Sequence, residues 1–168
     1  RQYFAADQLP LPQEPDIREE NTPVPHLTFF GVNASGGVRV PGLRLHWDYG
    51  PVAIEPEYFT PPMDEQLIEQ DSVCYRIKRD LALESRAIKQ LETSNFILYG
   101  EAGDWHNVWM PPGISPLQAM NHWQHWHRNQ LPQLQAEGWQ ISIDPSYRHK
   151  VHTVKLDINL SDAQKGWF

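Results

Sequence analysis

The chain has 168 residues, and its 21 acidic and 14 basic residues give a formal net charge of −7. This length suits one domain, or one domain with an extended arm, that buries a core without disulfides or metals. The acidic excess argues against a chain that clamps nucleic acid throughout its length, because neutralising phosphates requires an excess of Lys and Arg. The single cysteine, Cys74, excludes a disulfide framework, and no apolar run approaches the roughly 20 residues that span a bilayer. A cytoplasmic protein with no membrane contact is expected.

The N-terminal region is rich in proline, which fixes φ and removes a backbone donor. Its prolines are Pro10, Pro12, Pro15, Pro23 and Pro25. Residues 1–25 are therefore predicted to form an extended arm or linker, and residues 26–168 the folded domain. The chain begins with Arg1 and ends on an aromatic pair, which favours a fragment of a longer polypeptide.

Strands are predicted next along the chain. Residues 26–32 form the first candidate, and residues 43–50 alternate strictly between apolar and polar side chains, which is the period of a half-buried strand. The apolar face carries Leu43, Leu45, Trp47 and Tyr49, and the polar face carries Arg44, His46 and Asp48. A turn at Gly50-Pro51 predicts a hairpin partner at 52–56. The prolines of residues 57–66 predict a loop there.

Two helices are predicted. From Cys74 to Thr93 the apolar residues lie near one helical stripe. The sequence "SPLQ" at 115–118 is a capping box, with Ser115 as N-cap, that predicts a second helix running through the histidines that follow it. Pro132 should interrupt that helix and Gly138 should end it.

The remaining segments complete the predicted topology. Residues 95–100 are a short apolar strand candidate, residues 101–113 are loop-like, and alternating segments from Trp139 and over 152–160 predict two more strands. The order β-β-β-α-β-α-β-β predicts an α+β fold with a mainly antiparallel sheet covered by two main helices and preceded by the Pro-rich arm.

The stretch "HWQHWHRN" at 122–129 is the strongest candidate for a site. His122 and His125 are three residues apart and can share a helix face, whereas His127 points elsewhere. The favoured interpretation is an amphipathic helix that buries its two tryptophans, Trp123 and Trp126, with the histidines along its borders. The alternative is a small metal-dependent hydrolase in which His122 and His125 share the metal with a third ligand, either His106 or Asp104.

Sequence motifs for catalysis are missing from the chain. It has no phosphate-binding G-x-x-x-x-G-K-[ST], no G-x-S-x-G, and no carboxylate spacing that singles out an acid/base pair. We therefore predict no catalytic residue, no cofactor-binding residue and no metal ligand within the chain.

Several short stretches, in their order and spacing, resemble the region that precedes the motor in large bacterial SNF2-family ATP-dependent helicases. "TPVPHLTFF" resembles a P-x-P-x-L-x-L strand, "LRLHWDYG" an L-x-F-x-Y-G strand, and the terminal "GWF" the start of a further strand. The helix pattern R-x-x-x-x-E-x-x-A-x-x-x-L is matched by Arg79, Glu84, Ala87 and Leu91. A helix–strand pattern is matched by Leu131, Pro132, Leu134, Gly138, Trp139 and Asp144. The departures are "SNF" in place of a Gly-Phe exit and Ile141 in place of Val.

This resemblance implies a non-catalytic accessory domain before the two motor lobes, which is expected to dock against those lobes, a protein partner or flanking DNA. ATP and Mg²⁺ would then act in the parent polypeptide, which would also supply any contact with DNA, and the fragment itself is expected to be monomeric. A free-standing protein-interaction module remains the main alternative. Aromatic residues in loops and at the cut end are the predicted interaction surface, because Trp and Tyr often anchor interfaces. These residues are Trp105, Trp109, Trp167 and Phe168.

Overall fold

The computed structural model describes residues 16–33, 35–37, 39–100, 103–113 and 115–147. Within them the fold is α+β, as predicted, with five of the seven strand pairings antiparallel. The strands are β1 (Ile17–Glu20), β2 (Pro23–Asn33), β3 (Arg39–Tyr49), β4 (Val52–Ile54), β5 (Glu65–Gln70), β6 (Val73–Lys78), β7 (Ile97–Tyr99), β8 (Val108–Met110) and β9 (Gln140–Ile143). The α-helices are α1 (Leu81–Thr93), α2 (Pro116–Asn129) and α3 (Leu131–Ala136). No helix in these ranges is both long and apolar enough to cross a membrane.

The larger sheet has six strands in the order β7-β8-β3-β2-β9, with β4 also paired to β3. Its centre is the long antiparallel pair β2–β3, which stays in register from Pro23 opposite Tyr49 to Asn33 opposite Arg39. β9 joins β2 in parallel, with His26 opposite Gln140. The strict alternation along β3 places one face of this sheet against the helices. The other face is polar around His46 and Asp48 and carries a second apolar cluster, Phe30, Val32 and Val108, toward its other end.

The smaller sheet has three strands in the order β1-β6-β5. β5 and β6 form a hairpin whose two turn residues, Asp71 and Ser72, have positive φ values of 53° and 64°. Left-handed backbone conformations at both central residues are typical of a type I′ turn, whose twist matches that of the flanking strands. β1 pairs in parallel with β6 on the other side of the hairpin.

This hairpin corrects two predictions. Residues 73–78 form strand β6 and not the first turns of a helix, and β5 begins inside the segment predicted as the 57–66 loop. Val73, Tyr75 and Ile77 alternate with polar residues, and the last two of them are buried on the core side. The helix begins only at Leu81, where the Asp80 carboxylate accepts a hydrogen bond from the Leu83 N–H at 3.0 Å and caps it.

Strands occupy part of the segment that was predicted to be the extended arm. Residues 17–20 lie in β1, and residues 23–25 begin β2, so both belong to the folded sheets. The prolines at 23 and 25 are accommodated because β2 pairs with β9 only from His26 onward, which leaves its first residues at an edge where a missing N–H costs little. Residues 1–15 lie outside the described ranges.

The second half of the chain follows the prediction more closely. The Ser115 hydroxyl accepts a hydrogen bond from the Gln118 N–H at 3.2 Å and starts α2, and the helix breaks before Pro132, where α3 takes over. Gly138, with a φ of 93°, follows α3 and leads into β9. β7 lies within the predicted 95–100 strand, β8 was missed within the loop-like segment, and the strand predicted over 152–160 lies outside the described residues.

A buried polar network joins the elements around α1. Arg79 and Glu84, whose side chains are 1% and 5% exposed, form a two-pronged ion pair with N–O distances of 3.0 and 2.6 Å. The Tyr49 hydroxyl donates to Glu84 at 2.7 Å and accepts from the Asp80 N–H at 2.9 Å. Arg79 Nη1 also donates to Glu57 Oε2 at 3.4 Å. The network therefore ties the end of β3, the end of β6, the first turns of α1 and the 57 loop into one unit.

We expect Glu84→Ala to lower the free energy of unfolding by about 3–5 kcal/mol, because it leaves the Arg79 guanidinium buried without its counter-charge. Glu92→Ala is the matched control on the same helix, since its side chain is exposed and its loss should change stability by no more than about 0.5 kcal/mol. Urea unfolding of the purified chain measures both. Equal effects from the two substitutions would contradict the role of the ion pair.

Candidate functional site

The tryptophans of the 122–129 segment lie in the core, as predicted. Trp123 and Trp126 are 6% and 1% exposed. Both rings contact Phe29 of β2, with centroids 6.1 and 6.0 Å away, and both meet Phe96 edge-on at 5.2 Å. This half of α2 therefore fixes the helix to the apolar face of the larger sheet.

The histidines of α2 lie in separate environments. His122 meets the Phe96 ring edge-on at 5.0 Å, His125 is exposed and lies 3.1 Å from the Asn129 amide, and His127 stacks on Phe29 at 5.0 Å. His106, on a different loop, contacts Asn107 and Glu55. In the described part of the chain these imidazoles form no group of converging ligand atoms, and the side chain of Asp104 is not among the described ones. The metal site proposed for His122, His125 and His106 is thus not assembled.

A different cluster occupies the polar face of the β2–β3 pair. His26 lies directly opposite His46, and Asp48 follows His46 on the same face because side chains repeat every two residues along a strand. Asp48 Oδ2 is 2.8 Å from His26 Nδ1, and Asp48 Oδ1 is 3.2 Å from His46 Nε2. The imidazole rings lie 4.3 Å apart with a 32° tilt. We call His26, His46 and Asp48 the sheet-face cluster.

Two hydroxyl groups extend this cluster across the sheet. The parallel pairing of β9 with β2 places Ser142 opposite Thr28, one step along the face from His26. Ser142 Oγ lies 2.9 Å from His26 Nε2 and 2.9 Å from Thr28 Oγ1. Both ring nitrogens of His26 therefore have a partner, one in Asp48 and one in Ser142, so its ring orientation is fixed.

Burial influences the charge state of His46, the second imidazole of the cluster. His46 is half-buried, and the loss of hydration lowers its pKa below the usual value of 6.5, an effect that the nearby Asp48 carboxylate opposes and the nearby His26 reinforces. Burial therefore favours the neutral ring, which keeps one nitrogen lone pair free to bind an electrophile or a metal ion.

The chemistry open to this arrangement is of two kinds. Ser142, His26 and Asp48 stand in the hydrogen-bonding order of a nucleophile, a base and an orienting acid. Ser142, however, lies inside β9, whereas acyl-transfer nucleophiles sit where backbone N–H groups can bind an oxyanion, as at a sharp strand-to-helix turn. The second kind is metal binding, because one atom from each cluster residue lies within 4.8 Å of the others.

Sequence reasoning missed the sheet-face cluster. The alternation along β3 already placed His46 and Asp48 on one face. The third member, His26, joins only through the register of β2 with β3, and Ser142 reaches it only through the register of β9 with β2, neither of which a local pattern specifies.

The predicted interaction surface is partly wrong. Trp105 is half-buried, with its Nε1–H donating to the Asn33 carbonyl at 3.1 Å, so partial exposure holds for this residue. Trp109 is only 1% exposed, because β8 turns it to the core side opposite Leu43 and its Nε1–H donates to the Tyr58 hydroxyl at 2.8 Å. Trp167 and Phe168 lie outside the described residues.

Exposed apolar side chains gather elsewhere. A groove of about 490 Å³ runs between the 56–62 segment, α1 and β7, and a second groove of about 560 Å³ adjoins it through their shared wall residue, Glu57. The large apolar side chains on these walls that remain strongly exposed are Phe59 (72%), Met63 (59%), Leu67 (62%) and Ile97 (45%). We call these four residues the apolar patch. The Phe59 ring lies directly over Gly100, where a Cβ would come within 2.4 Å of it.

No protein-family model, no curated protein and no solved structure matches this chain. What the protein does is therefore inferred from its own residues and their geometry.

We expect His122 to make the fold sensitive to acid. Its pKa is lowered from 6.5, first by burial and second by the charge of His125, so the unfolded chain takes up a proton that the folded chain resists. Stability is unaffected by this group above about pH 6.5 and falls as the pH drops through that value toward the lower folded pKa.

The substitution His122→Leu should flatten this acid-side loss of stability, measured by urea unfolding between pH 7.5 and pH 5. His125→Gln is the control, since its exposed ring should leave most of the pH dependence in place. Identical pH profiles for the wild type and His122→Leu would show that the imidazole of His122 is not held neutral by packing.

Proposed function

We propose that this chain is a non-catalytic accessory domain of a bacterial SNF2-type ATP-dependent helicase, and that it docks against the motor lobes of the same polypeptide. The observation that carries the docking role is the apolar patch. Several large apolar side chains exposed along adjoining grooves are a feature of interaction sites, because burial against a partner removes them from water.

The residues behind the resemblance support the proposal by forming the frame of the domain. Arg79 and Glu84 are the buried ion pair, and Ala87 and Leu91 are 2% and 0% exposed on the inner face of α1. Any chain that needs this packing keeps such residues, whichever side chains its surface carries.

The second motif has the same character. Leu134 and Trp139 are 7% and 6% exposed and join the main core cluster. Between them Gly138 takes the left-handed conformation, with φ at 93°, that ends α3 and returns the chain to the sheet. Leu131 is packed against the same core cluster and Pro132 lies in the first turn of α3, which fits the motif's Leu-Pro pair to the start of a helix.

The chemistry of the partner follows from the groove. Its walls are mainly apolar, and Glu57, Glu65 and Glu92 stand along the two grooves. Arg79 is paired with both Glu84 and Glu57, and Glu65 with Arg76, so Glu92 and the extra carboxylate beside Arg79 leave the grooves with a negative charge. The surface that fits is apolar with flanking Lys and Arg side chains. A motor that tracks the phosphates of duplex DNA carries basic surface of this kind.

The proposal places the protein in the cytoplasm, with ATP and Mg²⁺ bound by the parent polypeptide and DNA contacted through the motor. The main alternative, a free-standing interaction module, would use the same groove for a separate protein. The coding sequence beyond Phe168 distinguishes the helicase hypothesis from the free-standing module. Downstream G-x-x-x-x-G-K-[ST] and D-E-x-[HQ] motifs support the helicase, and a stop codon soon after Phe168 rules it out.

We expect the domain to bind a separately expressed downstream motor segment, and Phe59→Asp to weaken that binding at least about tenfold, because loss of an apolar anchor costs an interface about 2 kcal/mol or more. Leu117→Asp is the matched control, since Leu117 is 62% exposed on α2 but lines neither groove. Titration calorimetry measures both. No binding by the wild type, or equal loss from both substitutions, would contradict docking through the patch.

A further inference from the structure

We propose that the sheet-face cluster of His26, His46 and Asp48 is a binding site for a divalent transition metal ion of the zinc class. This inference concerns the polar face of the larger sheet and is independent of the docking proposal, because none of the three residues lines either groove.

The donor set is the first argument. Two imidazole nitrogens and one carboxylate oxygen are ligands that Zn²⁺ and its first-row neighbours bind well, and three protein ligands leave a coordination position for water. Calcium and magnesium prefer oxygen ligands and are disfavoured by a site with two nitrogens. The two imidazoles distinguish this site from a surface acidic cluster, because they bind metal through directional lone pairs.

The geometry is the second argument. Asp48 lies 2.8 Å from the His26 ring nitrogen and 3.2 Å from that of His46. For metal–ligand bonds of about 2.1 Å, neighbouring ligand atoms in a tetrahedral site stand about 3.4 Å apart. These two separations, each to a different carboxylate oxygen, are slightly shorter, and one ligand atom from each of the three residues lies within 4.8 Å of the others, which is the range that side-chain rotation can close around one ion.

The backbone that holds the ligands is rigid. All three residues lie on the central pair of the larger sheet, and His26 and His46 stand directly opposite each other in its continuous register. The side chains are only 19–23% exposed, which keeps the cluster partly shielded from water while leaving a path for an ion. A site built on strands loses little entropy when it binds.

The outer hydrogen bonds are the third argument. If His26 Nε2–H donates to Ser142 Oγ and the Ser142 hydroxyl donates to Thr28, the ring presents its unprotonated Nδ1 toward Asp48 and the metal position. A metal-binding histidine in proteins almost always donates its other N–H in this way, which fixes its tautomer and orientation. Without metal, the other tautomer of His26 satisfies the same partners, since Nδ1–H then donates to Asp48 and the Ser142 hydroxyl donates to Nε2; metal binding therefore moves the His26 proton from Nδ1 to Nε2.

The test is a zinc titration of tag-free, chelator-treated wild-type protein by isothermal calorimetry, with Co²⁺ as a spectroscopic substitute. We expect one strong site per chain, with the visible absorption of Co²⁺ in a four-coordinate site. Asp48→Asn and His26→Gln should each weaken binding by at least tenfold. Ser142→Ala, which removes only the outer hydrogen bond, should weaken it by about tenfold.

His125→Gln is the control, because this exposed histidine stands outside the cluster and its loss should leave binding unchanged. Circular dichroism checks that each variant is folded. Should the cluster variants unfold, anomalous diffraction at the zinc edge from wild-type crystals still locates the ion. Absence of a strong site in the wild type, unchanged affinity in folded cluster variants, or an anomalous peak at another place would overturn the proposal.

Discussion

The bidentate ion pair between Arg79 and Glu84 is the constraint on which the rest of the structure depends. Every donor and acceptor of a charged pair that is excluded from water needs a hydrogen-bond partner, since each lost partner costs several kcal/mol. Tyr49 completes that placement from the end of β3, and burial together with its bond to Glu84 raises the pKa of its hydroxyl, which keeps it a donor at all physiological pH values. Two sheets, one helix and one loop therefore meet in a single permitted arrangement.

This arrangement divides the larger sheet into two faces with different roles. The inner face carries Leu27, Phe29 and Trp47 into the core beneath the helices, and the apolar groove opens beside α1 where the buried network ends. The outer face carries the imidazoles, the carboxylate and the hydroxyl groups and, toward its other end, the second apolar cluster around Phe30 and Val32. Each face follows from the period of two along β2 and β3, and the ion site that we propose lies on the outer face.

The sequence predicts those features that local chemistry determines. The capping box at Ser115 specifies the start of α2 and the alternation along β3 specifies which residues face the core, because both depend on neighbours within a few positions. The β5–β6 hairpin was missed because Ile77 and Leu81 happen to lie on one helical stripe, although they belong to a strand and a helix. Trp109 was misplaced because its strand is three residues long. The sheet-face cluster needed the register of β2 with β3, and its bond to Ser142 needed a register between segments more than 100 residues apart, both of which only the assembled fold supplies.

Native-state hydrogen exchange tests most directly whether the Arg79–Glu84 pair unites the two sheets. The amides of β6 and of β3 should exchange with the same opening free energy and the same denaturant dependence in the wild-type protein, as parts of one cooperative unit. Glu84→Ala should separate them, with β6 opening first. If β6 exchanges through an independent, low-energy opening in the wild type, then the smaller sheet is held by its own contacts and the ion pair is not the constraint that organises the domain.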